Sequence, residues 1–166
     1  MKMKTLLLLR HAKSSKDDPS LEDFDRPLKE RGKKDAQLIG KYLRKHKIKA
    51  ELVISSPAER ARTTSELVLK SAGLKIDLRF DKRIYEAAVR SLLKVVSEIE
   101  DTANAVILVG HNPGFEELLE ALTGEARDFP TASFACIELS VEKWSKVGAG
   151  TGHLKWLVTP KELRGD

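Results

Sequence analysis

Two histidines in this chain each directly follow an apolar run and stand beside a residue that suits anion binding. Arg10 and His11 follow the run near the N-terminus, and Gly110 and His111 follow a later one. An arginine guanidinium presents a planar fork of donors that matches phosphate, and a neutral imidazole is a nucleophile near pH 7. These residue types indicate chemistry on a phosphate group, with His11 as the nucleophile and Arg10 as a phosphate ligand.

A third cluster of candidate residues follows another short apolar run. It contains Ser56 and Pro57, and then Arg60 and Arg62. Two residues that are two positions apart cannot share one face of a helix, so only one arginine should point to the site. We expect Arg60 to be the phosphate ligand, because it lies near the start of the helix, and Arg62 to be an ordinary surface charge.

The segment around His111 has the features of an anion site at the start of a helix. Gly110 permits close approach of the backbone, and Asn112 can cap a helix whose first turn holds Pro113. Free backbone amides and the positive end of the helix dipole favour an anion at such a position. We therefore expect His111 to help bind phosphate, in its protonated form, as a hydrogen-bond donor to a nonbridging oxygen.

These clusters require a fold that brings the ends of several strands together. Short apolar runs alternate with longer periodic segments, which is typical of an α/β domain with a mostly parallel sheet. Parallel strands keep their carboxyl ends at one edge, where open α/β sheets bind ligands. Strands are predicted at 6–9, 52–54, 76–80, 105–109, 134–139 and 154–158, with a turn at 148–152 between the last two.

The helices are predicted from apolar periodicity and from their start and stop residues. The first should run from Pro27 to about Lys47, with Asp25 as a possible cap. The second should start after Ser56 and Pro57, with the serine as cap, and end near Gly73. The last two are predicted at 88–100 and from 112–113 to 122, before Gly124.

Composition limits the possible classes of protein. The chain has 166 residues, 41% hydrophobic and 33% charged, which fits one globular domain spanning residues 1–166. The net charge is +5, but the lysines are spread over the chain and alternate with aspartate and glutamate, so a nucleic-acid partner is not expected. No stretch is long and apolar enough for a membrane helix, so a cytoplasmic protein without a membrane partner is expected.

Several residues with reactive side chains are expected to have no role in chemistry. Cys136 lies among apolar neighbours and should be a buried, inert thiol. His46 lies in a lysine-rich segment and should face water, and His153 should be structural. No group of His, Cys, Asp and Glu has the spacing of a metal site, so neither a catalytic metal nor another cofactor is expected.

The motifs together resemble the histidine phosphatase superfamily, and the SixA-type phosphohistidine phosphatases within it. The resemblance is carried by Arg10-His11, by Ser56-Pro57 with Arg60, Ala61 and Thr64, by Gly110-His111-Asn112-Pro113, and by the segment 25–28 with Arg31 and Gly32. It implies a phosphoglycerate mutase-like, three-layer α/β/α sandwich. It also implies a catalytic histidine at His11 and a phosphate pocket of Arg10, Arg60 and His111. Ala12 departs from the glycine usual in the superfamily, as it does in some SixA-type members.

The proton donor is the residue that the motifs define least. Larger members of the superfamily use an acidic residue that follows the second arginine-bearing helix, and Glu86 occupies a similar place here. The alternative is that Glu86 only favours the start of the next helix. Phosphohistidine has a nitrogen leaving group that is easily protonated, so a dedicated acid is not strictly required.

The resemblance predicts a metal-independent phosphatase that forms a phosphohistidine intermediate at His11. Its partner would be a phosphorylated protein or a small phosphorylated molecule. One alternative is a phosphate-binding regulatory module with little turnover. The other is a phosphoglycerate mutase, for which the chain lacks room for the segments that cover the substrate.

Overall fold

The central element of the molecule is a single six-stranded sheet with strand order β3-β2-β4-β1-β5-β6. A computed structural model describes residues 3–166, so Met1 and Lys2 of the predicted domain lie outside it. The strands are β1 (Lys4–Arg10), β2 (Leu52–Ser55), β3 (Asp77–Phe80), β4 (Ala105–Gly110), β5 (Phe134–Leu139) and β6 (Gly152–Val158). All six predicted strands are present, with ends that differ by two residues or fewer.

The sheet is mostly parallel, as the sequence pattern predicts. Strands β1, β2, β3 and β4 pair in parallel, while β5 pairs antiparallel with both β1 and β6. Parallel neighbours need a crossover of a dozen or more residues, which the intervening helices supply. The connection between β5 and β6 contains a 3-10 turn, Trp144–Lys146, but no crossover helix, and these two strands pair antiparallel. As a result, β1, β2 and β4 end at the same edge of the sheet.

Helices cover both faces of the sheet. They are α1 (Glu30–Lys45), α2 (Glu59–Ala72), α3 (Val89–Ser97), α4 (Gly114–Thr123) and α5 (Pro160–Arg164). In the central strand β1, Leu6 and Leu8 belong to the core that contains residues of α3 and α4, whereas Leu7 and Leu9 belong to the core that contains residues of α1 and α2. The predicted three-layer sandwich is therefore confirmed. Burial of each leucine stabilises the fold by about 1.5–3 kcal/mol.

The first helix begins later than predicted. Leu28 forms an isolated antiparallel bridge with Ser14, and the amide of Lys29 donates to the carbonyl of Lys13 at 2.9 Å. These pairings hold the backbone extended, so α1 begins at Glu30 instead of Pro27 and ends at Lys45. The prediction that Asp25 caps this helix was wrong, because Asp25 ends a separate 3-10 turn, Asp23–Asp25.

The start of the second helix also differs from the prediction. Helix α2 begins at Glu59, and its capping position is Ala58 instead of Ser56. The Ser56 hydroxyl accepts the amide of Ala58 at 3.2 Å, so it stabilises the turn before the helix. The prediction that Ser56 caps α2 was wrong, and this frees its side chain for a contact in the site.

The predicted ends of α2 and α4 are confirmed. Gly73 and Gly124 follow these helices with φ of 69° and 79°, in the left-handed conformation that glycine adopts without steric cost. Helix α4 begins at Gly114, so Pro113 precedes its first turn, and α3 is shorter than predicted at both ends. Among residues 3–166, no helix is long and apolar enough to cross a membrane.

Candidate active site

The two histidines meet at the carboxyl edge of the sheet. Strands β1 and β4 are parallel neighbours in which Arg10 pairs with Gly110, so the residues that follow them leave the sheet side by side. The rings of His11 and His111 lie 5.0 Å apart between centroids, with an interplanar angle of 51°. Both side chains are buried. The predicted convergence of these strand ends is thus present in the structure.

His11 has one ring nitrogen engaged with the backbone and one left for chemistry. Its Nδ1 lies 2.7 Å from the carbonyl oxygen of Ala12. A carbonyl only accepts, so Nδ1 carries the proton and the lone pair is on Nε2. Burial, with smaller contributions from His111, Arg60 and Arg10, lowers the pKa of His11 to about 3. The imidazole is therefore neutral at pH 7, which is the protonation state that a nucleophile needs.

Thr64 fixes the backbone just after His11. Its hydroxyl accepts the amide of Ala12 at 2.9 Å and donates to the carbonyl of Arg60 at 2.6 Å. Both Thr64 and Ala12 are fully buried. This hydroxyl connects the end of β1 to helix α2, so the positions of His11 and Arg60 depend on each other. In the sequence Thr64 is only part of a motif, and nothing there indicates this contact.

The two arginines of helix α2 point in opposite directions, as the spacing predicts. Arg60 is buried, and its Nη1 and Nη2 donate to the backbone oxygen and to Oδ2 of Asp23 at 2.7 and 2.9 Å. Arg62 is exposed, forms an ion pair with Glu66 and lies 5.6 Å above the ring of Phe80. Only Arg60 is therefore placed to bind a ligand at the strand ends.

Arg10 is held from behind by a backbone oxygen. Its Nη1 donates to the carbonyl of Phe129 at 3.1 Å, and Asn112 Nδ2 donates to the same carbonyl at 2.9 Å. Burial lowers the pKa of Arg10 from its usual value, with Glu116 opposing that shift. The carbonyl thus connects the guanidinium at the end of β1 to the turn after β4.

Three buried nitrogens of the site have no hydrogen-bond partner. Among the residues that the structure describes, the unpartnered buried side-chain nitrogens are Nε of Arg10, Nε of Arg60 and Nδ1 of His111. A buried donor left unpaired costs about 1–3 kcal/mol. Since all three belong to predicted phosphate ligands, the site has donors that an anion would satisfy.

The contact of His111 with Ser56 explains why its Nδ1 can be a donor. Nε2 of His111 lies 2.7 Å from the hydroxyl of Ser56, which already accepts the amide of Ala58. When that hydroxyl donates its proton to Nε2, the ring proton lies on Nδ1. Burial and then Arg60 lower the pKa of His111 to about 4, so without a bound anion the ring is neutral at pH 7.

Asp23 and Tyr85 belong to the site, although the sequence analysis did not select them. The hydroxyl of Tyr85 donates to Oδ2 of Asp23 at 2.6 Å, and its ring packs edge-on against His111 at 5.5 Å. Burial and the contact with Asp23 raise the pKa of Tyr85 to about 12. Asp23 is two residues before the segment 25–28 that carries the family resemblance, which is the only local signal for it.

Glu86 lies at the edge of this site. It is exposed, and it lines a cavity together with His111, Asn112 and Pro113. Its φ is 52°, a left-handed conformation that non-glycine residues seldom adopt. The carbonyl of the next residue, Ala87, packs so tightly on Gly114 that a Cβ there would collide with it. This packing holds the loop of Glu86 next to the start of α4.

The remaining reactive residues lie away from the site. His46 and His153 are exposed, in agreement with the prediction that His46 faces water. Cys136 is buried in strand β5, and burial raises the pKa of its thiol to about 11. Within residues 3–166, no group of three or more His, Cys, Asp or Glu side chains is arranged to hold a metal ion.

Comparison with known sequences defines the class of this protein. Residues 6–92 match the histidine phosphatase superfamily, branch 1. An uncharacterised chloroplastic protein of Arabidopsis thaliana is 31% identical over an aligned length of 172 residues, gaps included. The alignment covers 93% of this chain and 77% of that protein. An uncharacterised protein of Mycobacterium tuberculosis is 30% identical over 164 residues, 92% of this chain and 100% of that protein. The chain belongs to the histidine phosphatase superfamily.

Solved structures narrow the similarity within the superfamily. SixA of Agrobacterium tumefaciens, assigned as a phosphohistidine phosphatase, superposes with a TM-score of 0.83 and 28% identity, covering 96% of this chain and 100% of its own. The protein histidine phosphatase SixA in complex with tungstate gives a TM-score of 0.79 and 25% identity over 96% and 99% of the two chains. The predicted SixA-type resemblance and phosphoglycerate mutase-like fold are confirmed, and they support a phosphatase activity.

Proposed function

We propose that this protein is a metal-independent phosphatase that forms a phosphohistidine intermediate on His11. The observation that carries the proposal is the hydrogen bond from His11 Nδ1 to the carbonyl of Ala12 at 2.7 Å. It leaves the lone pair on Nε2 free, in a ring that is neutral at pH 7. The same bond stabilises the positive charge that develops on the ring when Nε2 bonds to phosphorus.

The phosphate ligands are proposed to be Arg10, Arg60 and His111. Each has a buried nitrogen without a partner, and together they offer donors from three strand ends. Phosphoryl transfer depends mainly on positioning and on balancing the charge of the nonbridging oxygens. Two permanently charged guanidinium groups supply that balance, so no metal ion or other cofactor is required by the proposal.

The reaction is proposed to proceed in two displacements. In the first, the Nε2–P bond forms and the bond from phosphorus to the leaving atom breaks, and the leaving atom takes a proton from Glu86 or from solvent. In the second, water attacks phosphorus and gives a proton back to Glu86 or to solvent, the Nε2–P bond breaks, and inorganic phosphate and neutral His11 are released. Glu86 is proposed as the donor because it shares a cavity with His111.

The substrate is proposed to carry phosphohistidine, either in a protein or in a small molecule. Support comes from the similarity to SixA proteins assigned as phosphohistidine phosphatases and from a related SixA complex with tungstate, a tetrahedral oxyanion like phosphate. The exposed position of Glu86 also fits a leaving group that is protonated easily, since phosphohistidine releases a nitrogen.

A labelling experiment tests the proposal. Rapid quench with ³²P-labelled phosphohistidine protein, with a chelator present, should trap an acid-labile label on His11 and none in His11→Ala. The matched control is His46→Ala, which removes an exposed histidine and should label normally. A label on serine or aspartate, or full activity of His11→Ala, would show that the proposed nucleophile is wrong, and loss of activity with the chelator would argue against a metal-independent reaction.

A further inference from the structure

The carboxylate of Asp23 has partners on both of its oxygens. Oδ2 accepts Nη2 of Arg60 at 2.9 Å and the hydroxyl of Tyr85 at 2.6 Å. Oδ1 accepts Nε and Nη2 of Arg26 at 3.1 and 2.9 Å. Tyr85, and then Arg60 and Arg26, hold the pKa of Asp23 well below its usual range. A single exposed 3-10 turn therefore contributes an ionised group that connects the neighbouring Arg26 to two distant parts of the chain, Arg60 and Tyr85.

Asp23 occupies some of the N–H donors of the Arg60 guanidinium and leaves others without a partner. A guanidinium has five N–H donors in one plane. Asp23 takes one from Nη1, through its backbone oxygen, and one from Nη2, through its carboxylate. Nε is buried and has no partner. Asp23 thus holds the end of the fork and leaves the side that contains Nε available to an anion.

We propose that Asp23 is a positioning residue that orients Arg60, so that the Nε side of the guanidinium faces the phosphate. This inference rests on the proposed function, because it assumes that Arg60 binds phosphate. A planar fork gives two parallel hydrogen bonds only if its rotation is fixed. The carboxylate fixes that rotation, and the permanent charge of Arg60 remains shared between Asp23 and the ligand.

Tyr85 connects Asp23 to a second residue of the site, His111. The hydroxyl bond to Asp23 holds the Tyr85 ring edge-on to His111 at 5.5 Å and edge-on to Phe24 at 5.2 Å. Phe24 follows Asp23 in the same 3-10 turn. The turn, Tyr85 and His111 therefore form a continuous contact, and loss of the carboxylate should disturb His111 as well as Arg60.

The competing interpretation is that Asp23 only occupies Arg60 in place of phosphate. A carboxylate near the pocket repels a phosphate dianion, so its removal would then strengthen phosphate binding. The two interpretations predict opposite changes in affinity. The unpartnered Nε favours positioning, because an anion can bind there while Asp23 stays in place.

The experiment measures the affinity for inorganic phosphate, as a competitive inhibitor and by calorimetry, in the full chain. Asp23→Ala should weaken binding roughly 10- to 100-fold, the effect of losing a charge-assisted hydrogen bond. The control Asp25→Asn removes a charge from the same turn but leaves the contacts of Asp23 with Arg60 and Tyr85 in place. Its affinity for phosphate should stay within about twofold of wild type. Unchanged or tighter phosphate binding by folded Asp23→Ala would overturn the proposal.

A double-mutant cycle separates positioning from a general effect on folding. If Asp23 acts through Arg60, Asp23→Ala should change phosphate affinity much less in an Arg60→Ala background than in wild type. An equal effect in both backgrounds would overturn the proposal. If Asp23→Ala does not fold, Asp23→Asn, which keeps the shape, takes its place. Failure of Arg60→Ala to weaken phosphate binding would instead contradict the proposed function.

Discussion

The hydroxyl of Thr64 bridges the amide of Ala12 and the carbonyl of Arg60, at 2.9 and 2.6 Å. It connects the residue after His11, the proposed nucleophile, directly to the arginine that is proposed to bind phosphate. Because Thr64 is fully buried, water cannot replace it in these contacts. The site therefore depends on a residue whose hydroxyl bonds to the backbone of Ala12 and Arg60 and not to the side chain of His11.

Thr64→Val removes this bridge while it preserves the shape of the side chain. The buried amide of Ala12 would lose its partner, so the free energy of unfolding should fall by about 1–3 kcal/mol. The catalytic efficiency should also fall, since His11 and Arg60 lose their common support. Urea denaturation and steady-state kinetics measure the two effects. Thr63→Val makes the same change at the neighbouring half-buried position, and an equal loss there would contradict this prediction.

Arg60 and Arg62 should differ strongly when each is replaced by alanine. Arg60→Ala removes a buried cation near His11, the proposed nucleophile, and we expect a cost of roughly 2–5 kcal/mol in kcat/KM. Arg62→Ala removes an exposed group whose contacts are Glu66 and Phe80, so its effect should be far smaller. The comparison needs only kcat/KM for the two variants. A larger loss for Arg62→Ala would reverse the assignment of the phosphate ligand.

His111 should take up a proton when phosphate binds. Its pKa of about 4 makes it neutral in the unliganded protein at pH 7, and a bound anion raises that pKa. His11 must meanwhile stay unprotonated on Nε2, so kcat, which reports the pKa values of the substrate complex, should show a bell-shaped dependence on pH. His111→Gln keeps a donor but not the charge and should flatten the alkaline limb. If the alkaline limb is unchanged in His111→Gln, with a substrate that does not itself titrate over the pH values of that limb, the limb does not come from loss of a proton from His111.

The two buried histidines should make the protein less stable in mild acid. Their pKa values of about 3 and about 4 lie below the value of about 6.5 expected for an unfolded chain. Between that value and pH 4, the unfolded chain binds protons that the folded protein does not, so the free energy of unfolding falls as the pH falls. Each histidine contributes at most about 1.4 kcal/mol per pH unit.

Urea denaturation at pH 7 and pH 5 measures this dependence. The variant with His11→Gln and His111→Gln should show a smaller loss of stability between the two pH values than wild type. The matched control carries His46→Gln and His153→Gln, both at exposed positions, and should behave like wild type. The same loss in the His11 and His111 variant as in wild type would contradict the proposed cause.

Glu86 should matter more for poor leaving groups than for good ones. If Glu86 is the proton donor, Glu86→Gln should slow the hydrolysis of alkyl phosphates roughly 100-fold or more, since general acid catalysis contributes about 10²–10⁴-fold. Phosphohistidine should be affected far less, because its nitrogen is protonated without help. Kinetics with both substrates, and with Glu117→Gln as a control from the same cavity, test this. Equal losses for both substrates would argue against the role.

The sequence alone determined the strands of the sheet, the C-terminal ends of α2 and α4, and the residues predicted to meet at the strand ends. Buried parallel strands appear as uninterrupted apolar runs, and glycines after helices mark the left-handed ends at Gly73 and Gly124. Because parallel strands end at one edge, the residues after β1, β2 and β4 had to converge. That rule was sufficient to bring together Arg10, His11, Arg60 and His111.

The tertiary structure decided the contacts that orient those residues. Asp23 binds Arg60, 37 positions later, and Tyr85, 62 positions later, and Ser56 contacts His111 across 55 positions. The extended pairing of Leu28 with Ser14 likewise moved the start of α1. Local periodicity and capping preferences describe only neighbours within about one helical turn. Hydrogen bonds between distant segments leave no such pattern, so these partners emerge only when the chain is folded.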